Sequence, residues 1–403
     1  MDFCYKFPCL PGDTAMTNED KARGSLDSPV KRFPGKHLHR GAAAVLGVFL
    51  MVTLATLMAI TIDLGYIHVA ETELRRSADA AAMAGCWEIF AQRAESAELG
   101  NNLPLLVADA ANHVAANNHV GEITPLVTQA DVELGKYDPV TGWSLANVSE
   151  AQAVRITLRR DNGTNTELPL FYAALTGRES QELKTTAIAA MFSSVAGFFE
   201  PPTVHETRGI LPLALDLDSW EAAVAGSTVD DYMMENGEVV AGSDGIFETN
   251  LYPKGTGAPG NRGTVDIGDS NNSTNDLARQ ILHGISRQDF VDLGKPLVFD
   301  EHGELHLNGD TGISAGIKDE LASLIGKTRI VPIFTEVSGQ GNNSVFTIVK
   351  FEGVRILDVK LTGKKSQKRV IVQPATVVGR GIKVDWSGQN HSSHLLTPVM
   401  LVE

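Results

Sequence analysis

Ser314 stands in Gly312-Ile313-Ser314-Ala315-Gly316, the G-x-S-x-G spacing that lifts a serine onto a strand-to-helix turn for nucleophilic attack. A strand-like run, Glu304–Asp310, precedes it and a helical pattern follows, and only His391 or His394 would supply a triad base in the right chain order. The same serine also fits a helix N-cap, its oxygen accepting from first-turn N–H groups, and a chain with 38 glycines makes such strings by chance. His302-Gly303-Glu304-Leu305-His306 alternates along an extended chain, which would put two imidazoles and a carboxylate, all ligands that zinc accepts, on one strand face. A solvated strand face explains the pattern equally simply. Gly255-Thr256-Gly257-Ala258-Pro259-Gly260 has the glycine spacing of a dinucleotide loop. Flanked by Pro253 and interrupted by Pro259, with no strand before it or helix after it, it reads as loop. Met83-Ala84-Gly85-Cys86 imitates a lipidation box but lies well beyond any apolar run, so Cys86 reads as a small packing residue. None of these strings assigns a catalytic, cofactor-binding or metal-binding residue.

The elements that would position them begin with Ala42–Ile62, 21 residues without a charge. As a helix this run is roughly 31 Å long, the thickness of a bilayer's hydrocarbon core. It exceeds a signal-peptide apolar region and continues into more helix, so it reads as a retained anchor. Lys31, Arg32, Lys36 and Arg40 precede it, whereas Asp63, Glu71 and Glu73 are the first acidic residues after it. Positive flanks stay inside, which places residues 1–40 in the cytoplasm and the rest beyond the cell's inner membrane, periplasmic or extracellular. The chain's net charge of −15 has the same asymmetry, because residues 1–40 are slightly basic and all the excess acidity follows. That acidity argues against a nucleic-acid partner, and three cysteines in 403 residues argue against a disulfide scaffold.

Past the span, Ile67, Ala70, Leu74, Ala78, Ala81 and Gly85 recur at three- and four-residue steps, so the helix continues to about residue 96 as an amphipathic stem. Its stripe of small residues suits close approach of another helix. A second helix is expected over Leu103–Asn117, strands over Ala130–Lys136, Ala153–Arg160 and Glu182–Met191, and a short helix at Leu170–Leu175. Pro201-Pro202 marks a boundary, and the glycine-rich stretch Ala241–Gly268 reads as long loop. Helices follow at Asn275–Gly284 and Ala315–Ile325, then strands at Thr328–Thr335, Ser344–Phe351, Val354–Leu361 and Val370–Val378. The fold class is α+β. A cytoplasmic tail (1–40) and a transmembrane helix (41–63) lead into two exported α+β domains. The proximal one carries the stem (64–200), and the distal one is β-rich (201–403).

Arg40-Gly41, the apolar span, Asp63-Leu64-Gly65, Leu74, Ala78-Asp79-Ala80-Ala81-Ala82 and Ala84-Gly85 together resemble the N-terminus of the TadE/TadG-like proteins of Flp (Tad) pilus assembly. The later strand, helix and strand at Ala153–Arg160, Leu168–Ser180 and Ala187–Phe192 look like that family's proximal domain. The residue five after Gly41 is Leu46, where a processed prepilin-like member has Glu, so the resemblance does not carry over peptidase processing. Asp216-Leu217-Asp218-Ser219-Trp220 likewise lacks the Asp-x-Ser-x-Ser of the adhesion domain found in TadG-type relatives, and no metal site is carried over. The resemblance implies a single-pass, non-enzymatic component of a Tad-type pilus or secretion assembly in the inner membrane. Its partners are the bilayer and other assembly proteins, and Asp63, Gly65, Leu74, Ala78, Asp79, Ala81 and Gly85 form the helix-packing stem. The competing readings are a tethered binding module and an anchored hydrolase using Ser314.

Overall fold

The computed structural model describes residues 40–95, 99–252, 263–268, 273–310, 312–339, 343–387 and 390–402. The expected tail, with Lys31, Arg32, Lys36, Cys4 and Cys9, lies outside the described residues, as does the Gly255–Gly260 loop. Contacts divide the chain into residues 1–57 and 58–403.

In the first unit the described residues belong to helix α1, Arg40–Glu95, whose apolar stretch is the one described helix long and apolar enough to cross a membrane. Its apolar side chains there, Val45, Leu46, Phe49, Leu50 and Leu54 among them, are exposed.

Residues 58–403 hold one core around the second half of α1 and two more around a barrel. In the first, α2 (Leu103–Ala115) has Pro in its first turn, where no intrahelical donor is lost, and buries Leu103, Val107, Ala111 and Ala115 at helical spacing. Both helices cover a five-stranded antiparallel sheet. Its order is Gly142–Leu145 (β2), Val132–Asp138 (β1), Ala153–Arg160 (β3), Leu183–Ala190 and, at the edge, Met400–Leu401. In β3 the apolar residues Val154, Ile156 and Leu158 point to the helices while Arg155, Thr157 and Arg159 face outward. One short strand pair, Leu168–Pro169 with Ser180–Gln181, and helix α3 (Ala173–Thr176) complete this part.

The rest of the unit is built on strands that close on themselves. Ser344–Lys360 pairs with Leu305–Asp310, which leads through Gly263–Val265 and Leu213–Asp216 to Thr328–Ser338, and that strand pairs back with Ser344–Lys360. The ring is antiparallel except where Leu213–Asp216 meets Thr328–Ser338. Closure leaves no unpaired edge in the ring, and its interior is filled by Val265, Leu305, Leu307, Phe334, Phe346 and Ile348. The far half of Ser344–Lys360 extends beyond the ring to pair with Arg369–Pro374, on which Thr249–Tyr252 adds an edge.

Several expectations are adjusted. The two strands expected at Ser344–Phe351 and Val354–Leu361 are one 17-residue strand. Gly353 lies within it, where a Cβ would meet the carbonyl oxygens of Ala375 and His394 at 2.3 Å, so only glycine fits. The stretch read as loop over 241–268 contains Thr249–Tyr252 and Gly263–Val265. The helix expected at Ala315–Ile325 is a 3-10 turn followed by one short helix, Lys318–Ala322. Contacts do not separate at Pro201-Pro202. Just before it Val195–Phe198 pairs with Ile382–Val384, and far beyond it residues 396–402 return to the first sheet.

Candidate functional site

The 3.6-residue period of α1 beyond the apolar run sets one continuous face: Asp63, Tyr66, Ile67, Ala70, Leu74, Ser77, Ala78, Ala81, Gly85, Cys86 and Ile89. This face carries most of the residues expected of the stem, and the structure brings them together. Leu74, Ala78 and Ala81 are buried in this chain's own core, against α2 and the sheet. Small residues are required because the neighbours are close. A Cβ on Gly85 would stand 3.0 Å from Val107 Cγ1 and 3.3 Å from Val154 Cγ1. Gly65 is exposed with nothing near its Cα, and so lies off the packed face. Asp79 sits at the rim, where partial burial raises its carboxyl pKa and neighbouring Arg75 lowers it.

Polar pins fix the helix along its length. The Asp63 carboxylate accepts the backbone N–H of Phe171 (3.0 Å) and of Tyr172 (3.3 Å). The Gly121 N–H donates to Glu73 at 2.6 Å, and Ser77 Oγ to the Ala115 carbonyl at 3.5 Å. At the far end Arg93 donates to the carbonyls of Ser149 and Ala151, while the Arg93 carbonyl accepts from Thr376 Oγ1. The helix is therefore joined both to its own sheet and, through Thr376, to the barrel side.

The opposite face of the stem is free. Val69, Met83 and Trp87 are exposed and fall on one side of the helix, since steps of 14 and 4 residues return to nearly the same direction at 3.6 residues per turn. Trp87 also borders an open groove of about 750 Å³ between α1 and α2, with Leu106, Asp109 and His113.

The chemical candidates separate. Ser314 Oγ accepts the Gly316 N–H (3.1 Å) and a bond from Thr274 Oγ1, capping the 3-10 turn. His391 Nδ1 instead pairs with Ser194 Oγ at 3.0 Å, and His394 packs edge-on against Trp220. Ser314 thus has neither base as a hydrogen-bond partner. Ser314→Ala should cost at most about 1 kcal/mol as a lost cap, measured as a shift in the urea midpoint with no other phenotype. Loss of a hydrolytic activity in the folded variant would restore the serine to chemistry.

Of His302, Glu304 and His306, only His306 lies in a strand. The first two belong to the turn that Asp300 closes by accepting the N–H groups of both. His306 pairs with Glu304 and His302 with Glu301, and no cluster of three potential ligands occurs among the described residues. Cys86 is fully buried, and burial pushes its thiol up to about 12, the behaviour of a packing residue. Sequence reasoning missed Glu352, buried without exposure, which accepts from Ser392 Oγ and the N–H groups of Ser393 and His394. Nothing in its alternating strand context distinguishes it from a surface glutamate.

Residues 41–94 match the family described as putative Flp pilus-assembly TadE/G-like, and residues 77–189 the one described as putative Tad-like Flp pilus-assembly. No curated protein and no solved structure matches the chain. Over residues 41–189 the chain is thus similar to Flp pilus-assembly proteins, TadE/G-like over 41–94, as the pattern from Arg40-Gly41 to Ala84-Gly85 indicates.

Proposed function

We propose that this chain is a single-pass, non-enzymatic component of a Tad-type pilus or secretion assembly, with residues 1–40 cytoplasmic and the remainder exported across the inner membrane. The observation that carries this reading is the extent of the TadE/G-like region. It covers the apolar run and the helix beyond it, and that helix is also the central element of the first exported core. A tether alone needs no such continuity. Here the apolar run and the first exported core share one helix. Within the single contact unit of residues 58–403, residues 64–200 act as a proximal part and 201–403 as a distal one, the end of the chain returning to the proximal sheet.

Since the small-residue face is occupied internally, partner helices are met by the lipid-facing side chains of the span and by the Val69, Met83 and Trp87 face with its groove. A photocrosslinking residue at Trp87 should capture membrane subunits of the assembly, whereas one at Val140, exposed on the β1–β2 turn, should not. Equal capture at both positions would remove the stem from the partner interface.

Orientation has its own test. In spheroplasts a membrane-impermeant thiol reagent should label Val140→Cys and leave Cys4 and Cys9 unmodified. Cys86 stays silent because it is buried. Labelling of Cys4 and Cys9 with a protected Val140→Cys would invert the topology and end the assembly reading.

A further inference from the structure

The apolar run ends at Ile62, and the next residue, Asp63, does not face solvent. It is buried because the backbone of residues 171–172 folds onto it, donating both N–H groups to its carboxylate. Tyr66, one turn further, stacks on Phe171 with ring centroids 4.8 Å apart. The segment pinned there is Leu170-Phe171-Tyr172-Ala173-Ala174-Leu175, six residues without a charge, with Arg178 and Glu179 following. Phe171 is 67% exposed, Tyr172 37% and Leu175 55%, so the pinned segment turns its large apolar side chains outward instead of into the core. Leu64, beside Asp63, is exposed as well. Within the run itself Ala59, four residues before Asp63 on the same helix face, is only 2% exposed, while its neighbour Ile60 is exposed. The packed face of α1 therefore reaches back past Asp63 by about one turn, roughly 6 Å. The folded body overlaps the outer end of the apolar run.

We propose that Phe171–Leu175 is a second membrane contact, a monotopic segment seated in the headgroup layer and upper acyl region of the outer leaflet, and that Asp63 positions it there. The inference rests on the membrane-anchored reading of α1. The chemistry fits a lipid surface: Phe and Tyr rings partition into the interfacial layer, and the residue that holds this segment, Asp63, is the first one past the apolar run. The buried carboxylate spends its acceptors on the loop's backbone, so the acid crosses the interface without remaining as a bare charge in it. With two attachment points the stem would be held at a fixed tilt and rotation, which a single helix in a bilayer cannot ensure.

The test uses the full chain with Cys4→Ser and Cys9→Ser, reconstituted into phosphatidylethanolamine/phosphatidylglycerol vesicles. Spin labels are placed on Ala174→Cys, Leu175→Cys, Phe49→Cys or Val140→Cys, and their collision rates with oxygen and with a water-soluble nickel chelate are compared. Labels at 174 and 175 should have chelate access several-fold below that at 140, between that at 140 and that at 49. Adding Asp63→Ala should restore chelate access at 175 and leave 49 unchanged. Chelate access at 174 and 175 equal to that at 140, with 49 still shielded, would overturn this contact and leave the anchor standing. An accessible label at 49 would instead end the anchored reading, and this contact with it. Unchanged shielding at 175 in the Asp63→Ala variant would remove the positioning role.

Discussion

Replacing Ala81 and Gly85 together by leucine should unfold the first exported core while leaving the chain in the membrane. Both positions lie on the buried face of α1, and the approach of Val107 and Val154 to Gly85 leaves no room for a branched side chain. Each overpacked site costs about 1–3 kcal/mol, and the two are close enough to be non-additive. Against a domain stability on the order of 5–15 kcal/mol, the pair should tip residues 63–191 toward an open state. The apolar span is untouched, so the variant should still sediment with vesicles. The measurement is limited proteolysis of the reconstituted protein, in which cleavage within residues 99–190 should accelerate strongly. Unchanged protection combined with lost crosslinks to membrane subunits would instead mean that the small-residue face docks on a partner after all.

That contrast shows where the sequence was informative. Periodicity found the helix, its direction and its packed face, because a 3.6-residue stripe of Ala and Gly is visible without coordinates. It did not identify the covering element, because small residues demand close approach by something and the stripe is the same whether that is a partner helix or α2. Strands Ala153–Arg160 and Leu183–Ala190 were legible from β-branched alternation. Closure of the barrel was not, since it depends on pairings between strands more than 100 residues apart, such as Leu213–Asp216 with Thr328–Ser338. One local signal was present and overlooked. Asn236-Gly237, both at positive φ, turn the hairpin Tyr232–Glu235 to Glu238–Ala241, and Asn-Gly is among the strongest hairpin signatures in sequence. Asp63 was recognised as an exit acid, but its bond to residues 108 and 109 positions away lies beyond any local pattern.

The junction between the stem and the barrel should make the chain sensitive to acid, and His394 sets the sign. Burial first, then the Lys350 and Arg93 cations, lower its imidazole to about 4, against 6.5 ordinarily, and its Nδ1 has no hydrogen-bond partner among the described residues. In the unfolded chain the imidazole binds its proton near pH 6.5, and in the folded chain only near 4, so between those values the unfolded state holds more protons. The stability contributed by the neutral ring is complete above 6.5 and is lost as pH falls through this window, by up to about 3 kcal/mol. Glu352, whose carboxylate accepts the His394 N–H, works in the opposite direction. Burial raises its pKa, so the folded state takes up a proton earlier than the unfolded one and gains stability as pH falls. The two slopes partly offset in the native protein, which makes the variants more telling than the parent. The stability difference between the parent and His394→Leu, read from urea midpoints, should shift by up to about 3 kcal/mol in favour of the variant between pH 7 and pH 4. Glu352→Gln should steepen the parent's acid loss by removing the opposing slope. A pH-independent difference for His394→Leu would mean that the ring titrates normally, and that the stem and barrel do not seal the junction against water.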